Sequence, residues 1–322
     1  MLLVALVGCS NDSSEAQIQT GHTTATLDSQ DPEPITTNPT PQLPVTAHSA
    51  DGTDVTVTDV SRIVAIDLYG TLAQTVYALG LGDDLVGRST SASFPAIDDV
   101  TNVTPGGQNI SVEAVAALRP TLILTDSSIA DDTIRTQLQS FAPVVLFDPK
   151  RTVEAVAPSI EAVAQAVGLP EEGRKLAQRT QSEIDDATSG VDLPAEPLRI
   201  AFLYLRGGSI AFLAGPGSGA DSIIEALGAE DAGTASGMTS EFVQVNSEAM
   251  VAAAPDLLLT MTDGLASAGG PEGLQKMPGV GQTPAGKNQR VVDMADGVLL
   301  SFGPNTGRVL AALSDAIYAP TK

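Results

Sequence analysis

Imidazole and thiol chemistry in this chain rests on three side chains, Cys9, His22 and His48, all within the first 50 residues. Beyond about residue 60 no Ser-His-Asp triad, cysteine nucleophile, His-rich zinc cluster or thiolate metal site can be assembled. One cysteine also excludes an internal disulfide. Carboxylates abound instead: 39 Asp and Glu face 16 Lys and Arg in 322 residues, a net charge of −23. With so many acids some pairing is inevitable, and no pair stands out as an acid–base couple. Asp67 and Asp263 follow apolar runs, where the default role is turn formation and helix capping. Gly215-Pro216-Gly217-Ser218-Gly219-Ala220-Asp221 suggests a phosphate-cradling loop, but it lacks both the G-x-G-x-x-G spacing and a following lysine. It reads as a tight turn with an N-cap. The acidic surface repels phosphate backbones and excludes nucleic-acid binding. Aromatic residues make up 3% of the chain and Trp is absent, which argues against an aromatic-lined sugar cleft or a stacking platform. These exclusions leave binding, without a catalytic cofactor, ahead of catalysis.

The elements that would position a binding site are legible as an α/β alternation. Ile63-Val64-Ala65-Ile66, Leu122-Ile123-Leu124 and Val144-Val145-Leu146-Phe147 are continuous apolar runs, as strands covered on both faces require. Between them lie amphipathic stretches such as Leu72, Val76 and Leu79 at helical spacing, stopped by Gly80 and Gly82. A second half repeats the scheme with Ile200-Ala201-Phe202-Leu203, Leu257-Leu258-Leu259 and Val291-Val292. Residues 111–125 align without gaps on residues 246–260: a short helix with an early glutamate, a proline, then a buried strand. The repeat predicts two Rossmann-like lobes with parallel sheets, at 60–150 and 198–322. Residues 151–190 are helix-forming, with a kink expected at Gly168-Leu169-Pro170, and predict a stiff helical spine. A ligand cleft between the lobes would lie at the carboxyl ends of their strands.

Ahead of the lobes, residues 1–9 form a short apolar run, too short to span a bilayer, whose Leu6-Val7-Gly8-Cys9 resembles a bacterial lipobox. In that motif the cysteine is acylated and anchors the chain at the extracytoplasmic face of the membrane. Residues 10–50 are rich in Ser, Thr, Asp, Gln and Pro, and predict a disordered tether that buries too little apolar surface to fold.

Lipobox, tether, two α/β lobes and a helical spine together resemble a class III substrate-binding protein of an ABC importer, the group that handles haem, siderophores and cobalamin. Asp67-Leu68-Tyr69-Gly70-Thr71-Leu72, Leu85-Val86-Gly87-Arg88-Ser89, Phe202-Leu203-Tyr204-Leu205-Arg206-Gly207, Met261-Thr262-Asp263-Gly264-Leu265 and Leu300-Ser301-Phe302-Gly303-Pro304 are most similar to the actinobacterial haemin-binding lipoproteins of the HmuT family. The resemblance implies haem as the transported ligand, a ferric siderophore or cobalamin being the alternative. It also implies a monomer that meets a dimeric ABC permease with its ATPase. It places an axial tyrosine at Tyr204 with Arg206 beside it. Residues two apart on a strand share a face, and a guanidinium favours the phenolate that ferric iron prefers. Tyr69 and Arg88 lie in the matched strings and join the ligand-binding set. The family's N-lobe histidine is replaced by Gln108, and the tyrosine that related proteins carry before a proline is Phe94 before Pro95. Haem would then be bound through Tyr204 alone, or Met238 or Met261 would supply the sixth ligand, or the cargo would differ. Glu113 and Glu248, at equivalent places in the two repeats, are implied as permease-docking charges.

Overall fold

Residues 20–191 and 193–319 are described by the structure, a computed structural model; Cys9 and its neighbours lie outside them. The chain enters with β1 (His22–Ala25) and continues through the hairpin strands β2 (Val45–His48) and β3 (Asp54–Val57). The N-lobe sheet then takes β4 (Ile63–Ile66), β5 (Leu85–Arg88), β6 (Thr101–Asn102), β7 (Leu122–Asp126) and β8 (Val144–Phe147) in the order β6-β5-β4-β7-β8. Every pairing in it is parallel. β4 and β7 are buried at each position, as their unbroken apolar runs demand. Helix α1 (Thr71–Val76) follows β4, and α2 (Val112–Ala117) precedes β7.

The spine consists of two helices, α3 (Val156–Ala166) and α4 (Pro170–Thr188). Gly168 breaks them with φ 75°, and Pro170 starts the second at the first helical position, where its missing N–H costs nothing.

The C-lobe sheet has β9 (Arg199–Arg206), β10 (Ile210–Ala214), β11 (Glu230–Asp231), β12 (Phe242–Gln244), β13 (Leu257–Met261) and β14 (Val291–Met294), and it recruits β1 at its edge. Its order is β1-β14-β13-β9-β10-β12, with β11 also on β9. The core pairings are parallel, whereas β10 runs antiparallel to β9 and to β12. Helix α5 (Ser247–Ala253) precedes β13, and α6 (Thr306–Tyr318) closes the chain against α4.

The internal repeat extends to backbone detail. Arg119 and Ala254, aligned residues that each precede a proline, both adopt left-handed φ (48° and 43°). A residue before proline is pushed out of the helical region, so both short helices end there. The aligned residues just after the prolines also act alike. Thr121 N donates to Arg62 O at 2.9 Å and Asp256 N to Arg199 O at 2.8 Å, each starting its strand beside the first strand of the lobe.

The tether expectation for residues 10–50 is corrected from residue 20 onward. β1 pairs in register with β14, from His22 opposite Val291 to Ala25 opposite Met294. The segment then crosses the molecule as a strap: Arg308 Nη2 donates to Ser29 O and Asp31 O at 3.0 Å, and Arg179 Nη2 to Glu33 O at 2.6 Å. Ile35 N donates to Ala78 O, and Gln42 N to Gly168 O, both at 2.7 Å. Composition misleads here because the strap is held by its backbone polar groups, not by an apolar core of its own.

Candidate functional site between the lobes

A cavity of about 1000 Å³ opens between the lobes, and its walls follow the carboxyl ends of the strands. After β4 come Leu68 and Tyr69; after β5, Thr90, Ser91 and Ser93; after β6, Gly106, Gly107 and Gln108. The C-lobe contributes Asp263 after β13 and Asp296 after β14, facing them.

The C-lobe wall is built by strand alternation. Along β9, Ala201, Leu203 and Leu205 enter the lobe core, while Phe202, Tyr204 and Arg206 turn to the cleft. The hairpin to β10 sets Phe212 directly opposite Tyr204, and the Phe242 ring stands edge-on to Tyr204 at 6.4 Å. Five of the chain's eleven aromatic residues (Tyr69, Phe202, Tyr204, Phe212 and Phe242) therefore line this one cavity. The low aromatic content, which argues against a sugar cleft, does not foretell this cluster, because an average over the chain says nothing about clustering. Gly207-Gly208 between two apolar runs was the signal for the hairpin.

Arg206 lies with its guanidinium carbon 4.7 Å from the Tyr204 ring centroid. It is held there by Asp296 Oδ2 at 3.0 Å and by its donation to Leu205 O at 2.8 Å. Met261 Sδ is 3.8 Å from Arg206 Nη2. Burial raises the Asp296 carboxyl above its usual range, against the opposing pull of the Asp263 amide and Arg206. Asp296 gave no signal in the sequence, since nothing local distinguishes it among 39 acids.

A second guanidinium sits across from it. Arg151, at the start of the spine, lies 4.9 Å from the Tyr69 ring centroid and donates from Nη1 to the Tyr69 hydroxyl. The same group reaches the C-lobe, donating to Ser218 O at 3.2 Å, Gly217 O at 3.1 Å and Glu241 Oε2 at 3.3 Å. Burial pushes the Tyr69 phenol up and outweighs the opposing pull of Arg151. The Gly217–Ser218 turn thus has an inter-lobe role that its sequence did not reveal. Two more ties join the lobes nearby: Gln74 Nε2 donates to Gly297 O at 3.0 Å, and Thr71 Oγ1 donates to Ser301 O.

Beneath the N-lobe wall are two buried acids. Asp67 accepts from the backbone N–H of Tyr69, Thr71 and Leu72 and so starts α1. Its carboxyl is nonetheless pushed up to about 7, by burial first and by the Asp126 charge second. Asp126 is raised too, chiefly by burial, against the opposing donors of Ser128.

Of the residues singled out from the sequence, Tyr204, Arg206, Tyr69, Gln108 and Met261 meet at the cleft. Three do not. Phe94 is buried at 1% exposure with its ring edge-on to Tyr77 at 5.2 Å, because the proline after it turns the chain into the lobe. Arg88 spends its guanidinium on the carbonyls of Ala92 (3.0 Å) and Ile97 (3.1 Å), bracing the loop that carries Ser91 and Ser93. Met238 lies over Gly215 against the C-lobe core. Glu113 and Glu248 are exposed in the first turns of α2 and α5, capped by Ser111 and Asn246. His22 and His48 pair with Asp293 and Asp54, away from the cavity.

Residues 65–297 match the family model described as periplasmic binding protein. The chain belongs to the periplasmic binding protein family. Among solved structures, this family member is similar to the heme binding protein HmuT, at 40% identity and a TM-score of 0.90 over 94% of this chain and 99% of that one. It is also similar to the periplasmic heme-binding protein RhuT from Roseiflexus sp. RS-1, at 33% identity and a TM-score of 0.73 over 80% and 98%. A curated relative, the uncharacterized ABC transporter substrate-binding lipoprotein YvrC of Bacillus subtilis (strain 168), is 26% identical over 87% of each chain. Among the described residues no helix is long and apolar enough to cross a membrane.

Proposed function

We propose that this periplasmic binding protein captures ferric haem between its lobes and delivers it to an ABC permease, without catalysing a reaction. The observation that carries the reading is the Tyr204–Arg206 pair at the wall of a large, aromatic-lined cleft. A half-buried phenol beside a guanidinium is the kind of hard oxygen donor that ferric iron prefers, and tyrosinate is an established haem ligand. Phe212 and Phe242, backed by the buried Phe202, offer an apolar surface to a flat macrocycle. Arg206 supplies positive charge that a ligand carboxylate needs on a chain of net charge −23. The likeness to HmuT and RhuT, which are named for heme, supports the same cargo.

Anchoring through Cys9, to the extracytoplasmic face of the membrane, belongs to the same proposal. So does docking of Glu113 and Glu248, one on each lobe, onto a two-fold permease. Cys9→Ala, expressed with a complete signal, should lose stable membrane association; unchanged partition would remove the anchor.

Cargo is tested by titrating the purified chain with haemin and following its absorption spectrum, with a ferric siderophore and cyanocobalamin as competitors. Haemin should develop a tyrosinate-to-iron charge-transfer band, and Tyr204→Phe should weaken binding at least about tenfold, or 1.4 kcal/mol. Restoring histidine with Gln108→His should tighten binding and shift the spectrum toward that of nitrogen-ligated iron. A free-haemin spectrum throughout, alongside tight binding of either competitor, would overturn the reading.

A further inference from the structure

The cleft contains a second phenol treated like the first. Tyr204 projects from the C-lobe with a guanidinium 4.7 Å from its ring centroid; Tyr69 lines the same cavity from the N-lobe with a guanidinium at 4.9 Å. We propose that Tyr69, held by Arg151, is the donor that the N-lobe brings to the iron of the cargo. This rests on the haem reading above and extends it to a residue that the replacement of the family's histidine by Gln108 left without a counterpart.

The remaining polar groups on the N-lobe wall argue by elimination. Thr90, Ser91, Ser93 and Gln108 offer neutral alcohols and a carboxamide. The Tyr69 phenol is the one ionisable oxygen beside them, the group that a ferric ion can convert to a hard anionic donor. On the opposite wall Met261 presents a soft thioether, 8% exposed and already in contact with Arg206.

Arg151 explains how Tyr69 stays available. Its charged N–H donates to the phenol oxygen, a contact that strengthens as the oxygen becomes anionic. Arg151 is itself fixed by the Gly217 and Ser218 carbonyls and by Glu241, with only 17% of its side chain exposed. Those carbonyls belong to the C-lobe, which also bears Tyr204. One side chain therefore references the N-lobe phenol to the lobe that presents the other donor. Arg151 is a positioning residue in this scheme, and Tyr69 is the binding residue.

The test uses the full chain loaded with haemin, read by absorption and by resonance Raman excited in the tyrosinate charge-transfer band. Four proteins are compared: parent, Tyr69→Phe, Tyr204→Phe and the double variant. Each single change should weaken binding at least tenfold and leave tyrosinate bands shifted from the parent's; the double change should abolish them. Arg151→Gln should shift the bands in the parent but not in the Tyr69→Phe background, which a merely structural role of Arg151 would not produce. Tyr69→Phe keeps the ring and its stacking, and a parental circular dichroism spectrum verifies the fold. If Tyr204→Phe removes every tyrosinate band while Tyr69→Phe matches the parent in bands and affinity, the assignment is wrong. A parent that shows no haemin spectrum at all would overturn the haem reading itself, and this assignment with it.

Discussion

Asp67 makes stability depend on pH in a direction opposite to that of most carboxylates. Its three backbone donors favour the ionised form, but burial and the Asp126 charge outweigh them and push the carboxyl up to about 7 from an ordinary 3.8. A folded-state pKa above the unfolded one means that the folded chain binds the proton more firmly. The associated stability is present below about pH 3.8 and is lost as pH rises through about 7. The full difference of about 3 units corresponds to at most ~4 kcal/mol, of which about 2 kcal/mol falls between pH 5 and 7. Asp67→Asn cannot titrate and keeps one acceptor oxygen for the start of α1. The stability of the parent relative to this variant should therefore fall by about 2 kcal/mol from pH 5 to pH 7, a relative change in melting temperature of roughly 3 °C. Calorimetric or circular-dichroism melts of both proteins across that range provide the measurement, and shared titrations cancel in the difference. Asp126→Asn should shrink the slope by removing the neighbouring charge. A parent-minus-variant difference that stays flat from pH 5 to 7 would show that Asp67 is ionised in the folded protein, and that its backbone donors outweigh burial.

Three further outcomes can be checked. Gly80→Ala would strain a residue at φ 87° and drive its new methyl to 2.4 Å from Thr36 O, so it should cost about 1–3 kcal/mol and speed hydrogen exchange at Ile35 N; a parental melt and exchange rate would contradict this. Arg88→Met should loosen the loop that carries Ser91 and Ser93, weakening haemin binding severalfold while leaving the charge-transfer band in place, because the arginine braces carbonyls and does not line the cavity; loss of the band would assign it a direct role. The double change Glu113→Gln and Glu248→Gln should leave cargo affinity and melting nearly intact and abolish cargo-stimulated ATPase activity in a reconstituted importer; full stimulation would leave these residues only their favourable place in a helical first turn.

What could be read from the sequence was whatever short-range pattern encodes. Ile63–Ile66 and Leu122–Asp126 announce buried strands because a parallel strand between helical layers must be apolar on both faces. The repeat was visible because two lobes solve one packing problem twice, down to the left-handed residue before each proline. Tyr204 and Arg206 were accessible through strand periodicity. Arg151 was not, since its partners lie 66 to 90 residues away and its near neighbours give no hint of them. Phe94 and Arg88 show the converse error: position along the chain put them beside the site, but one turned into the core and the other was consumed by backbone carbonyls. The strap was misread because an arginine–carbonyl contact leaves no imprint on the composition of the segment that provides the carbonyl.

Under the proposed anchoring at Cys9, docking of the strap would shorten the leash between the lobes and the membrane. With an anchor at Cys9 and the first ladder residue at His22, 12 residues separate them; the fully extended span between the two is at most about 45 Å. A free segment through residue 50 would reach about 145 Å. The departure point is also fixed, at the β1 edge of the C-lobe sheet, so an anchored chain would be pulled on one lobe and on one side. With the proposed anchor, captured cargo would be confined to a thin layer above the membrane, where the effective concentration of binding protein at a permease rises as the permitted volume falls.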